Sequence, residues 1–109
     1  MTPEQRLQAF RAFVAKNPDD AFARYSLAMA LRSAGAAAEA AAEFEELRRR
    51  KPDYVPAYLM LGQTLEALGR AAYAAQVYED GIAAATRAND MHARSELSQA
   101  LDGVRARGA

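Results

Sequence analysis

The sequence offers one imidazole for proton-transfer chemistry, that of His92, and Glu96 follows it four residues later. On a helix this spacing places the two side chains one turn apart, where they can form a His–Glu pair. General-base catalysis also requires a pocket and a reacting partner, and no serine or cysteine nucleophile pattern accompanies the histidine. A lone histidine of this kind is more often a surface residue, so we predict that the protein is not an enzyme.

The residue types in the sequence give little support to a metal site, a cofactor site or a phosphate-binding site. The sequence has no cysteine and a single histidine, which excludes thiolate ligation and a multi-histidine metal site within one chain. It also has no glycine-rich phosphate loop. The basic run from Arg48 to Lys51 could contact phosphate, but basic residues at a helix end complement the helix dipole, and we prefer that explanation. We therefore expect no catalytic residue, no cofactor and no metal.

Charge and composition restrict the remaining classes of protein. Fourteen basic and fourteen acidic residues cancel, whereas nucleic-acid and membrane-surface binders rely on a basic excess, so we expect neither partner. No apolar run approaches the ~18 residues of a membrane span, and the N-terminus lacks the apolar core of a signal peptide, which favours a cytoplasmic location. Alanine supplies 28 of the 109 residues and β-branched residues only 8. This composition predicts an all-helical fold.

Start and stop signals divide the chain into about six helices. Thr2 and Pro3 can begin the first, which stops at Asn17 because a residue before proline avoids the helical region. Gly35 and Gly69 suit the left-handed position that ends a helix. The sequence thus predicts six helices, over about Pro3 to Asn17, Asp19 or Asp20 to Ala34, Ala37 to Arg50, Asp53 to Leu68, Ala71 to Ala88 and Met91 to Asp102. Asp19 or Asp20 should cap the second helix, Asp53 the fourth and Asn89-Asp90 the sixth, and the chain should fray from Arg105 onward.

The turn residues and the large apolar residues recur every 34 residues. This shift places Asn17-Pro18-Asp19 on Lys51-Pro52-Asp53 and Gly35 on Gly69, and it aligns Phe10, Phe44 and Tyr78 in one series. These two classes of residue fix the geometry of turns and cores. Their joint recurrence indicates a repeat architecture.

The repeated unit resembles the tetratricopeptide repeat, a helix–turn–helix of 34 residues with the signature W-x2-L-G-x2-Y, then A-x3-F, then P. The second unit fits it as Tyr58-x2-Leu61-Gly62-x2-Leu65 and Ala74-x3-Tyr78, and the first as Arg24-x2-Leu27-Ala28-x2-Leu31, Ala40-x3-Phe44 and Pro52. Arg24 replaces the large aromatic residue, which predicts a weaker contact there. Thr86 replaces the closing proline, so the fifth helix should run on.

The resemblance implies a single all-α domain, an α-solenoid of antiparallel helix pairs. We expect an N-terminal half-repeat helix in residues 1–18, one repeat in 19–52, a second in 53–88 and a C-terminal capping helix in 89–105. Small residues such as Gly62 would let the paired helices approach closely. Gly81 would permit a similar close contact inside the fifth helix.

The family binds protein partners mostly along the concave face of the solenoid, which the first helix of each unit forms. Carried over to this sequence, that face holds Phe22, Tyr25, Met29, Arg32, Leu59, Met60 and Gln63. One subgroup grips a peptide C-terminus with lysine, asparagine and arginine, but the matching positions here are Tyr25, Met29, Leu59 and Gln63. The resemblance therefore implies an apolar groove for a peptide or helix of a protein partner, with Arg32 available for an acidic or carbonyl group.

A second apolar stripe on the second helix leaves two interpretations open. Phe22, Tyr25 and Met29 lie opposite Leu27 and Leu31, and one helix pair cannot bury both sets. Either another helix or a second subunit covers the stripe permanently, or it is an exposed binding patch. We therefore predict an adaptor for protein–protein interaction, with a self-associating structural module as the alternative.

Overall fold

The computed structural model describes all 109 residues and contains six α-helices and no strand. The helices are α1 (Pro3–Lys16), α2 (Ala21–Ser33), α3 (Ala37–Arg50), α4 (Pro56–Ala67), α5 (Ala71–Arg87) and α6 (Met91–Ala106). Each helix packs against its neighbours in the chain, and α4 also contacts α6. This arrangement confirms the predicted all-α solenoid. None of the six helices combines the length and apolarity that a membrane crossing requires.

Most helix ends follow from the local signals. Thr2 and Gln5 form the reciprocal capping box at the start of α1, and Asp20 and Asp90 accept hydrogen bonds from the first turns of α2 and α6. Gly35 and Gly69 adopt the left-handed conformation after α2 and α4, with φ of +82° and +75°. The predicted run-on of the fifth helix is also present, because α5 continues through Thr86.

Two predicted helix ends are wrong. Asp53 does not cap α4, which begins at Pro56 after Val55, a residue that is itself in helical conformation and makes no side-chain cap. Proline suits this position because its φ is fixed at the helical value and it lacks an N–H. The following N–H groups, of Ala57 and Tyr58, donate to the carbonyls of Tyr54 and Val55, so they need no side-chain cap. The last helix does not fray from Arg105. It extends to Ala106 because Val104 continues its buried stripe and is 1% exposed.

Large residues that recur at 34-residue spacing supply part of the core. Phe44 and Tyr78 are completely buried between successive helices, whereas Phe10 is only partly buried because α1 has a single substantial neighbour, α2. Close helix approach requires glycine at two points. A Cβ on Gly62 would lie 2.1 Å from the Tyr78 ring, and one on Gly81 would lie 2.6 Å from Tyr58 Cβ, which confirms the predicted close contacts.

Candidate functional site

A groove of about 290 Å³ crosses one side of the solenoid, where α2, α4 and α6 lie next to each other. Its walls are Tyr25 from α2, the first residues of α4 and the N-terminal half of α6. Leu59 and Met60 reach it because the opposite side of α4, which carries Leu61 and Gly62, packs against the core. The complete lining is Tyr25, Val55, Pro56, Leu59, Met60, Asp90, His92, Ala93, Glu96 and Leu97.

Tyr25 forms the aromatic wall of this groove. Its ring packs edge-on against Phe44 with the centroids 5.9 Å apart, and it lies 5.7 Å from the Tyr54 ring. Burial raises the pKa of Tyr25, and the positive charge of Arg32 offsets part of that rise. The phenol is therefore neutral at physiological pH. It presents an apolar ring face held by its two aromatic neighbours, together with a hydroxyl that can donate or accept a hydrogen bond.

Arg32 lies beside the groove in the last turn of α2. Its guanidinium is close to Met60 Sδ at 4.0 Å and to Gln63 Oε1 at 3.5 Å. Both distances are at the outer limit for a polar contact. Met60 thus lines the apolar groove and also contacts the Arg32 guanidinium. The groove and the guanidinium therefore form one continuous surface.

The predicted site residues fall into three groups in the structure. Tyr25, Leu59 and Met60 line the groove together, and Arg32 and Gln63 border it. Met29 is half-buried against the core and does not line the groove. Phe22 is 73% exposed and lies in a different cavity. The structure therefore brings five of the seven residues to one surface.

The cavity that contains Phe22 is an apolar patch at the N-terminal edge of the solenoid. It measures about 340 Å³ and is lined by Ala9, Phe10, Phe13, Asp20, Phe22, Ala23 and Ser26. Phe13, which is 51% exposed, was not among the predicted site residues. The 34-residue shift places it on Leu47, which is 1% exposed. The shift could have indicated Phe13, because a core position on a terminal helix with one neighbour remains partly uncovered.

His92 and Glu96 lie close to each other on α6, as the spacing predicted. His92 Nε2 lies 3.4 Å from Glu96 Oε1, and the histidine side chain is 88% exposed at the rim of the groove. The residues that line the groove together with His92 include no serine. The pair is therefore a solvated i,i+4 pair on the surface of α6.

The three arginines of the basic run at the end of α3 are paired with acidic residues of this chain. Arg48 contacts Glu45 at 2.7 Å and Asp80 at 2.9 Å. Arg49 and Arg50 both donate to Glu46, and these hydrogen bonds lower the pKa of Glu46 to about 2. Each of these three arginines therefore has an acidic partner within this chain.

Sequence comparison identifies relatives over most of the chain. The tetratricopeptide repeat family model matches residues 7–55 and 38–89. A TPR repeat-containing protein of Pseudomonas aeruginosa is 29% identical over 92 residues, which cover 84% of this chain and 88% of that protein. The match thus extends over nearly the whole length of both proteins.

Solved structures share the fold. The solution structure of a tetratricopeptide repeat domain protein from Salinibacter ruber is 37% identical, with a TM-score of 0.78, and the alignment covers 82% of this chain and 90% of that one. The TPR2B domain of yeast Sti1, in a complex with pHsp70, has a TM-score of 0.85 at 20% identity, covering 93% of this chain and 81% of that one. The second likeness concerns the fold alone.

Proposed function

This chain belongs to the tetratricopeptide repeat family, whose domains generally mediate protein–protein interaction and are generally not enzymes, and we propose that its groove binds a peptide or helix of a partner protein. One observation carries the proposal. Tyr25, Leu59 and Met60 come from two helices and converge on one groove while remaining only partly buried. Apolar side chains that line a groove and remain partly accessible are typical of a protein-binding site.

The dimensions and composition of the groove support a peptide rather than a small metabolite. Its volume of about 290 Å³ lies at the lower end of the range for small-molecule pockets, and enclosed cofactor sites are usually larger. It can receive one or two side chains of an extended or helical segment. Tyr25 supplies a rigid aromatic anchor of the kind enriched in binding hot spots, and Met60 supplies an adaptable contact.

Peptide selection by phage display, followed by affinity measurements on variants, tests this proposal. Peptides that bind the wild-type protein should lose at least about tenfold in affinity when Tyr25→Ala and Leu59→Ala are combined, because each truncation of a hot-spot residue costs on the order of 1 kcal/mol or more. The matched control is Phe22→Ala, an exposed aromatic outside the groove. Circular dichroism of both variants establishes that the helices are intact. Equal affinity for the double variant and the control would contradict the proposal.

Self-association is a second candidate function, and the exposed phenylalanines of the N-terminal patch favour it. Phe13 and Phe22 leave about half and about three quarters of their surfaces in solvent beside one cavity. A second copy could bury both. Light scattering at increasing protein concentration should then reveal a dimer that Phe13→Ser with Phe22→Ser dissolves. A wild-type protein that stays monomeric at high concentration rejects this candidate.

We also propose that residues 19–52 and 53–88 are the two complete repeats, flanked by a half-repeat helix in 1–18 and a capping helix in 89–105. The pairing of α2 with α3 and of α4 with α5 supports this division. So does the polar outer surface of α6, where Arg94, Ser95, Gln99 and Asp102 are exposed. Terminal elements of repeat arrays need such a surface because no further unit covers them.

A further inference from the structure

Four arginines of this protein have side chains that are buried or partly buried, and three of them pair with carboxylates. Arg24 contacts Glu43 at 2.6 Å, Arg48 contacts Asp80 at 2.9 Å and Arg50 contacts Glu46 at 2.6 Å. Arg32 is the exception, because no acidic side chain lies within ion-pair distance of it. Its two polar contacts, with Gln63 and Met60, are long and involve neutral atoms.

The acidic side chain on the neighbouring part of α4 is already engaged. Glu66 accepts hydrogen bonds from the Tyr78 hydroxyl and from Arg107 near the C-terminus. The charge of Arg32 acts on the same Tyr78 hydroxyl and lowers its pKa slightly, although burial and the Glu66 bond raise it overall. Glu66 thus pairs with Arg107 and not with Arg32. Arg32 is partly buried and has no carboxylate within ion-pair distance.

We propose that the peptide bound in the groove presents an aspartate or glutamate side chain to Arg32, beside the apolar side chain that the groove receives. This inference rests on the proposed function. Met60 connects the two contacts, since it lines the groove and touches Arg32. A carboxylate can accept two parallel hydrogen bonds from a guanidinium, and the Gln63 amide can donate a third.

The backbone around Arg32 favours an acidic side chain over a peptide C-terminus. Arg32 lies in the last turn of α2 and Gln63 lies towards the end of α4, so carbonyl groups rather than free N–H groups end these helices nearby. Chain-terminal carboxylates are held by several donors at once, either backbone N–H groups or, in one subgroup of this family, lysine, asparagine and arginine side chains together. One guanidinium with one amide instead matches a single acidic side chain.

Selection of random peptides on three proteins tests the inference. The proteins are the wild type, Arg32→Gln, and the control Arg94→Gln, which removes an exposed arginine outside the groove that makes no ion pair. Wild type and control should enrich peptides that combine an apolar residue with aspartate or glutamate, and Arg32→Gln should enrich the apolar residue alone. Arg32→Lys, which keeps the charge, should retain part of the acidic enrichment.

Affinities of an enriched peptide, synthesised with an amidated C-terminus, complete the test. Two single changes should each weaken binding about tenfold: replacing the acidic residue of the peptide by asparagine or glutamine, and replacing Arg32 by glutamine. The two changes together should weaken binding no more than either change alone. Apolar peptides without acidic enrichment would overturn the inference and leave groove binding intact. Binding that amidation abolishes would overturn it in favour of a terminal carboxylate. Failure of the wild type to select any peptide would overturn it together with the proposed function.

Discussion

Arg24 in the α2–α3 hairpin and Tyr58 in the α4–α5 hairpin occupy equivalent positions, 34 residues apart, with opposite chemistry. Both are buried to nearly the same extent, at 7% and 5% exposure. Both also donate to a proline carbonyl six residues earlier: Arg24 Nη2 to Pro18 O at 3.1 Å, and the Tyr58 hydroxyl to Pro52 O at 2.7 Å. Both side chains are long and carry a donor at the tip, and each one tethers the loop that precedes its helix.

The two hairpins differ in what surrounds that donor. Arg24 pairs with Glu43 at 2.6 Å, and the 34-residue equivalent of Glu43 is Val77, which is completely buried. A phenol needs no counter-ion, so an apolar neighbour suffices for Tyr58. A buried guanidinium needs a carboxylate, and here its Nε still has no partner. The Arg24 contact thus depends on a second residue, Glu43, whereas the Tyr58 contact needs no counter-ion.

Removal of the carboxylate should have the largest effect on stability. Glu43→Val copies the α4–α5 hairpin at one position but leaves Arg24 buried without a counter-charge. We expect the free energy of unfolding in urea to fall by about 3 kcal/mol. The control combines Glu43→Val with Arg24→Tyr, which copies the second hairpin at both positions and should return within about 1 kcal/mol of the wild type. A neutral single variant would mean that water reaches Arg24.

The two hairpins also differ in the residues at the point where their paired helices approach closely. The shift aligns Ala28 with Gly62 and Phe44 with Tyr78, so the hairpin with the larger ring has the smaller facing residue. Gly62→Ala would place a Cβ 2.1 Å from Tyr78 Cε1. We expect a loss of about 2 kcal/mol, because overpacking outweighs the better helix propensity of alanine.

A matched double variant separates crowding from propensity in that experiment. Gly62→Ala with Tyr78→Phe reproduces the alanine–phenylalanine pair of the first hairpin and frees the ring from its hydrogen bond to Glu66. It should recover part of the lost stability in the same urea titration. Thermal unfolding of Gly62→Ala at or above the wild-type midpoint would show that the helices can separate at little cost.

The loop tether can be removed from the second hairpin without changing its packing. Tyr58→Phe keeps the ring between the helices and deletes the hydroxyl that donates to Pro52 O. The expected loss is about 1 kcal/mol, typical of one hydrogen bond to a partly buried carbonyl. Equal stability of Tyr58→Phe and the wild type would show that water replaces the hydroxyl. The hydrogen bond from Tyr58 to Pro52 would then contribute nothing to the free energy of unfolding.

The sequence predicted the features that rest on spacing. The 34-residue recurrence located the core residues Phe44 and Tyr78, and the turn glycines located two helix ends, because each feature depends on one local requirement. It did not predict that Arg24 would be as buried as an aromatic residue. That outcome depends on Glu43, nineteen residues away on another helix, and no local signal connects the two.

The candidate site was predictable to a similar extent. Tyr25, Leu59 and Met60 follow from their positions on successive first helices, and the structure places them in one groove. Phe22 lies on the same helix as Tyr25, three residues earlier, yet it lines the N-terminal patch together with Phe10 and Phe13 of α1. The lack of a counter-charge at Arg32 depends on the three-dimensional arrangement, in which Glu66 of α4 contacts Tyr78 and Arg107 instead.

The turn after α5 offers the smallest test of how the repeats differ. Asn89 adopts φ +55° there, the left-handed conformation that Gly35 and Gly69 supply after α2 and α4. Asparagine tolerates this conformation better than other residues with a Cβ, whereas alanine pays the full steric cost. Asn89→Ala should therefore lose about 1 kcal/mol and lower the thermal midpoint by about 5 °C, while Asn89→Gly should stay within about 0.5 kcal/mol of the wild type. Equal midpoints for the two variants would mean that α6 can re-form its start without the left-handed residue, and that this turn, unlike the other two, does not fix the path of the chain.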